Sequence, residues 1–189
     1  MGTPCVGKTS VSRRLAKQLD GVHIDLGELV AKEKLAVGVD KKRGSLIADK
    51  AMLARRVREI IKLHEKSHDV IVDGHYATDV VSTKDVTGVF VLRRHPEELK
   101  QLMEKRGFKG RKLWENLAAE ILDVCLYDAV QAVGLSKVCE IDVTGKGSEA
   151  VARDIVLVLK GEKPCTAGVV DWLGQLEREG QLDEYLKDF

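Results

Sequence analysis

Apolar residues recur along this chain with two alternating periods. From Lys8 to Leu19, the residues Val11, Leu15 and Leu19 fall one helical turn apart, so 8–19 is expected to form a helix with one buried face. Val22–Ile24 reads as a short strand, 25–36 as helix, 37–45 as a polar loop, and 46–66 as a long amphipathic helix rich in Ala, Arg, Leu and Glu. Asp69–Asp73 is a β-branched run, expected to be a buried strand that ends at Gly74, and Val89–Leu92 is another that ends at Arg93. Pro96 suits the first turn of a helix over 96–106, and Gly107 and Gly110 bracket a basic loop. A long helix over 112–132, a strand over 138–143 and a helix over 147–160 follow. Residues 161–168 read as a linker. Residues 169–188 read as a terminal helix or helix pair, with Trp172, Leu176 and Leu186 on its apolar face and Gly180 as the break.

Short apolar strands separated by helices predict a parallel sheet covered on both faces. Ligands of such sheets bind at the carboxyl ends of strands. Three places in the sequence meet that condition: the glycine-rich start, Asp73 with His75, and Arg93 with Arg94.

Composition adds bounds. A length of 189 residues suits one α/β domain with a mobile subdomain, and aromatics at 4% require an aliphatic core. The formal net charge of +1 excludes a chain-wide basic surface for nucleic acid but not a local patch. The four cysteines, Cys5, Cys125, Cys139 and Cys165, form no C-x-x-C pair, which argues against a zinc site or redox motif. Free thiols in a reducing cytosol are the simpler expectation. No apolar run approaches the ~20 residues of a membrane span, and no signal-peptide pattern is present. The protein is expected to be soluble and cytoplasmic.

Gly2-Thr3-Pro4-Cys5-Val6-Gly7-Lys8-Thr9 fits G-x-x-x-x-G-K-[ST]. Glycines let the backbone curl so that successive N–H groups point at phosphate oxygens, and the helix that follows adds its positive end. Lys8 can reach the β- and γ-phosphates of ATP, and the Thr9 hydroxyl can ligate Mg²⁺. Such a loop ordinarily follows a buried central strand, whereas only Met1 precedes Gly2. The first strand is therefore expected to be missing, the sequence to begin late, and a chain so shortened to be unstable. VIVDGHYA (70–77) is an apolar strand ending in Asp73, the arrangement of an acid that holds Mg²⁺ through water or orients a nucleophile, with His75 two residues on.

Taken together, GTPCVGKTS (2–10), HIDLGELVAKEKL (23–35), VIVDGHYA (70–77), VFVLRRHPEEL (89–99) and EKRGFKGRKLWENLAAEI (104–121) resemble the adenylate kinases, specifically the divergent isoenzyme 6 type. Ordinary adenylate kinases carry Asp-Gly-Phe/Tyr-Pro-Arg at the strand end. Asp73-Gly74-His75-Tyr76-Ala77 instead shows the Asp-x-His pattern of the isoenzyme 6 type. The resemblance covers nearly the whole chain. It implies a three-layer α/β P-loop NTPase of the nucleoside monophosphate kinase type. The kinase domain would span 1–163, with a monophosphate-binding subdomain at 25–48 and a lid at 105–115, followed by a C-terminal helical extension at 164–189.

The resemblance further implies that Cys5, Gly7, Lys8, Thr9, Ser10 and Arg106 bind ATP. Lys8, Asp73 and His75 would serve catalysis, and Thr9 and Asp73 would position Mg²⁺. Relatives carry Gly where this chain has Cys5, and usually a monophosphate-clamping Arg where it has Ala31, a place that Lys32 or Lys34 would have to fill.

Residues 105–112 (KRGFKGRK) hold five basic side chains. Positive groups stabilise the charge that develops on a transferring phosphoryl, and a closing lid excludes water. Arg106 is the best single candidate, with Arg93 and Arg94 as phosphate-clamp candidates from a strand end. Lys109 and Lys112 read as solvated charges, and RNA contact has only Phe108 and Trp114 to support it.

The expected activity is a broad-specificity kinase passing the ATP γ-phosphoryl to AMP or another nucleoside monophosphate, with ATPase activity. By resemblance it also implies a part in late small-subunit ribosome maturation and pre-rRNA processing. The alternative is an ATP-driven assembly factor in which kinase activity is incidental. Its partner would be universal small-subunit ribosomal protein eleven (S11) within pre-ribosomes. A small-metabolite kinase of similar fold is disfavoured by the context of His75.

Overall fold

The computed structural model describes residues 1–40 and 45–186. Helix α1 (Lys8–Gln18) leads into β1 (Val22–Asp25), α2 (Leu26–Lys32), β2 (Ala36–Asp40), β3 (Ser45–Ala48) and α3 (Lys50–His64). Next come β4 (Val70–Asp73), α4 (Ala77–Val80), β5 (Val89–Arg93), α5 (Pro96–Lys105), α6 (Arg111–Ile121) and α7 (Val124–Val133). A 3-10 turn (Leu135–Lys137), β6 (Val138–Asp142), α8 (Ser148–Leu159), α9 (Trp172–Arg178) and α10 (Leu182–Leu186) complete the order.

Strands β1 and β4 pair in parallel, as do β5 and β6. Alternation along the strands sends side chains to two layers of helices. On one face, Val22, Ile24, Val70 and Val72 pack with Leu53 and Val57 of α3 and Val80 of α4, while Val89, Val91 and Val138 pack on Leu126 and Ala129 of α7. On the other face, Ile71, Phe90, Leu92 and Ile141 join Val11 and Leu15 of α1 and Val151 and Ile155 of α8. The C-terminal helices enter this second cluster through Trp172, Leu176 and Tyr185. The result is the expected three-layer α/β arrangement.

Among the described residues no strand precedes the phosphate loop. The main chain of Met1 alone lies along β5, its nitrogen donating to Phe90 O (2.6 Å) and its oxygen accepting from Leu92 N (3.0 Å). Its side chain touches both clusters of the first face. Among the described residues no further ladder joins the two parallel pairs. That explains a departure: Val70, Ile71 and Val72 are half-buried, not the fully buried strand their composition predicts.

Several boundaries differ from expectation. The polar loop at 37–45 is largely an antiparallel hairpin, β2 with β3, in which Val39 opposes Leu46; residues 41–44 lie outside the described residues. The aliphatic residues Val37, Val39, Leu46 and Ile47 carry the strand signal that the polar sequence between them obscured. The long helix consequently starts at Lys50, where the Asp49 carboxylate caps the amides of Ala51 and Met52, each at 3.0 Å. The helix expected over 112–132 is two helices, broken at Asp123, whose φ of 57° leaves the helical region. The terminal pair divides at Gly180 as expected; residues 187–189 lie outside the described residues.

The cysteine expectation is corrected outright. Cys139 on β6 and Cys165 form a disulfide with Cα atoms 4.9 Å apart, while Cys5 and Cys125 are free. The segment expected to be a linker returns along β6, where Glu140 N donates to Thr166 O (2.7 Å), and this return brings together two cysteines 26 residues apart. The thiol argument for a reducing compartment therefore lapses. No helix among the described residues is long and apolar enough to cross a membrane. Closing a loop of this size restricts the unfolded chain by roughly 3 kcal/mol. Cys165→Ser is expected to lower the unfolding free energy by about 2–4 kcal/mol in urea titrations. Wild type in dithiothreitol should match the variant; an unchanged midpoint in both would show that the bridge carries no stability.

Candidate active site

The loop from Gly2 to Gly7 is shaped by what glycine permits. At Gly2 a Cβ would stand 2.5 Å from the carbonyl oxygen of Leu92, so only glycine lets the chain run this close to β5. At Gly7 a φ of 110° turns the backbone directly into α1, and no side chain caps the helix. The first helical bond is Val11 N to Gly7 O (3.1 Å), and amides of the opening turn have no acceptor within the helix. Those N–H groups and the positive helix end form an anion-binding cradle. Lys8 reaches across it, its Nζ donating to Thr3 O at 2.8 Å. Burial depresses the Lys8 ammonium pKa, and the charge of Asp73 opposes that shift.

Cys5 occupies the loop in the left-handed region (φ 67°), where glycine is the less strained residue. Burial raises its thiol pKa, against the pull of Arg106, Lys8 and Lys112. Arg106, exposed at the end of α5, thus comes close to the Cys5 thiol in the loop.

Pairing of β1 with β4 sets Asp25 opposite Asp73 and His23 opposite Ile71. With a two-residue period, His23, Asp25, Ile71 and Asp73 share the face that looks toward α1. Asp25 Oδ1 caps α2 through Glu28 N (3.0 Å), while its Oδ2 accepts from the Thr9 hydroxyl (3.3 Å). A cavity of about 170 Å³ opens here, lined by Lys8, Thr9, Asp25, Leu26, Gly27, Asp73, Gly74, His75 and Tyr76.

Burial alone would raise the Asp73 pKa. His23, the Thr9 hydroxyl and the Lys8 charge outweigh it, so the carboxyl is held below its ordinary range. Burial and the charge of Lys8 press the His75 pKa down, which keeps the imidazole neutral near pH 7. Its ring meets that of Tyr76 edge-on, with centroids 4.5 Å apart.

One pair of polar atoms is left over. Asp73 Oδ2 and His23 Nε2 are buried, 3.7 Å apart, and neither has a hydrogen-bond partner. An unsatisfied buried polar atom costs about 1–3 kcal/mol.

Lys8, Thr9, Asp73 and His75 are therefore brought to one cavity, with Cys5, Gly7, Ser10 and Arg106 in or beside the loop above it. The two clamp candidates part company. Arg94 backs the loop, its guanidinium donating to Val6 O (3.4 Å) and pairing with Glu98. Arg93 has a side chain 1% exposed and is taken up by three carboxylates: Glu120 (2.9 Å), Glu140 and Asp123. Its fork is spent on the protein interior and offers nothing to a ligand. Asp25 and Tyr76 line the cavity and His23 stands behind Asp73, three residues that motif reading did not single out. Asp25 ends its strand as Asp73 ends its own, and the strand-end rule applied evenly would have found it.

Proteins of known description sharpen this picture. A family model described as AAA domain matches residues 1–123. A protein from Methanocaldococcus jannaschii described as "Putative adenylate kinase" is 39% identical over 171 residues, covering 90% of this chain and 89% of the relative. One of the same description from Methanothermobacter thermautotrophicus is 37% identical over 176 residues, covering 93% and 96%. Thymidylate kinase from Candida albicans superposes with a TM-score of 0.51 at 15% identity, over 85% of this chain and 89% of that one, a likeness of fold. Identity sustained over nine tenths of the chain goes far beyond a shared loop, and the chain belongs to the adenylate kinase family represented by these archaeal relatives.

Proposed function

We propose that this protein is a nucleoside monophosphate kinase of broad specificity, transferring the γ-phosphoryl of ATP to AMP or a related monophosphate. The observation that carries the reading is the joining of an uncapped, glycine-shaped helix N-terminus and Lys8 to a cavity bearing two strand-end carboxylates and a neutral histidine. Adenylate kinase relatives support the choice of substrates.

In this reading the loop amides and Lys8 hold the triphosphate, and Arg106 approaches from the lid at 105–115. The subdomain at 25–48 receives the monophosphate beside Asp25, Leu26 and Tyr76. Thr9, Asp25 and Asp73 present hard oxygen donors, which is the donor chemistry that Mg²⁺ takes. No group of three or more His, Cys, Asp or Glu among the described residues could hold a metal alone. Mg²⁺ that enters with a nucleotide takes most of its ligands from phosphates and water. When bound, Mg²⁺ neutralises charge on the transferring oxygens. His75, neutral and at the cavity wall, is placed to accept a proton from the attacking group, whether a monophosphate or water.

The second reading is an ATPase acting in small-subunit ribosome maturation, in the cytoplasm, with ribosomal protein S11 as partner. Ala31 supports it: this position on α2 carries no cation, where relatives of the isoenzyme 6 type usually carry the monophosphate-clamping arginine. One assay separates the two. With ATP, Mg²⁺ and AMP, the kinase reading expects two ADP per ATP consumed and loss of AMP. Release of phosphate at an unchanged AMP level would replace it with the ATPase reading.

A further inference from the structure

Nothing in the phosphate-loop chemistry requires His23, yet the fold delivers it to the carboxylate on which that chemistry depends. It sits at the second position of β1, with its side chain 15% exposed, on the sheet face shared by Asp25, Ile71 and Asp73. Parallel pairing sets it opposite Ile71, so Asp73 is its diagonal neighbour. Nε2 and Oδ2 face each other at 3.7 Å, both buried and both without another partner. A donor and an acceptor withdrawn from water and from every other group have only each other, or one intervening water, to satisfy them.

We propose that His23 is the positioning residue of the site, an assignment that rests on the kinase reading above. With its proton on Nε2, the imidazole engages Oδ2 of Asp73 and fixes the plane of the carboxylate. The carboxylate is thereby held toward Thr9 and Lys8 in the one orientation that serves a magnesium-bound triphosphate. A free carboxylate at the end of a half-buried strand would otherwise rotate or swing onto the Lys8 ammonium, whose charge already acts on it. His23 is not among the residues that line the cavity, so it works through Asp73, which is, and not on substrate. The arrangement is that of an outer group orienting a ligand, for which removal typically costs 10–100-fold in metal affinity or activity.

The test compares wild type, His23→Phe and His23→Gln. The glutamine amide places an N–H donor near the position of Nε2, whereas phenylalanine keeps the ring and loses the donor. ATP binding is followed by calorimetry with magnesium and with EDTA, alongside steady-state kinetics. His23→Phe is expected to lose about 10-fold or more of the magnesium-dependent gain in ATP affinity and 10–100-fold in kcat. Its affinity for metal-free ATP should match wild type, and His23→Gln should recover most of both losses. His23→Leu takes the place of the phenylalanine variant should that one fail to fold.

If His23→Phe or His23→Leu, folded, keeps the magnesium-dependent gain within twofold of wild type, the assignment falls and the kinase reading stands. The same holds if His23→Gln falls as far as the apolar variants. Wild type with no magnesium-dependent gain at all would overturn the kinase reading and the assignment with it.

Discussion

Lys8→Ala is expected to lose magnesium-dependent ATP binding to below calorimetric detection and to cut turnover by roughly 10²–10³-fold, the scale on which one preorganised charge acts. The side chain crosses the loop and puts the only ammonium of the cavity lining where the proposed triphosphate would lie. Its burial already depresses its pKa, so the folded protein holds the charge there at a cost that only an anion repays. The same variant should unfold no more easily than wild type, since a poorly solvated cation has been removed. ATP affinity within threefold of wild type would mean that the loop amides alone hold the nucleotide, and the proposed site would need another anchor.

The second large effect concerns stability. Arg93 neutralises Glu120 and Glu140, which are 2% and 6% exposed, and its own charge survives burial because these carboxylates and Asp123 surround it. Removing one partner of a buried ionic group leaves uncompensated charge and costs about 3–5 kcal/mol. Arg93→Met should therefore lower the unfolding free energy by about that much, read from chemical denaturation. Adding Glu120→Gln and Glu140→Gln to the same chain should recover part of the loss. A variant as stable as wild type would show that the carboxylates take up protons or water at no cost, and that the cluster is dispensable.

Arg93 also marks where sequence reading reached its limit. As a basic residue at the carboxyl end of a parallel strand, it satisfies every local criterion for a phosphate clamp, and so does Arg94. What separates them is the side of the sheet. Val89, Val91 and Arg93 share the face toward α7, where Glu120, Asp123 and Glu140 converge, while Arg94 steps off the strand end onto the loop. Strand register could have told them apart, but three carboxylates from α6, the α6–α7 junction and β6 are not adjacent in the chain.

The meeting of the glycine-rich loop, Asp73 and His75 at one cavity was legible because it follows from local spacing and strand ends. The hairpin of β2 and β3 was not, because the basic sequence at 41–43 dominated the pattern. The disulfide was not, because it depends on a return path along β6. His23 was overlooked for a related reason: one histidine in an apolar run has no spacing motif, and its meaning comes from Asp73 across the strand pair.

The carboxylate of Glu120 is a meeting point for distant stretches of chain. It accepts from the hydroxyl of Thr3 in the phosphate loop, from Arg93, from the amide of Arg94 (3.0 Å) and from the indole of Trp172 (3.3 Å). Glu140 in turn accepts the amides of Val169 and Val170. The nucleotide grip at one end and the closing helices at the other therefore share a single electrostatic keystone. A proteolytic nick or a bulky tag that loosens the tail would be felt as a slackened hold on ATP, with every residue in contact with the ligand left intact.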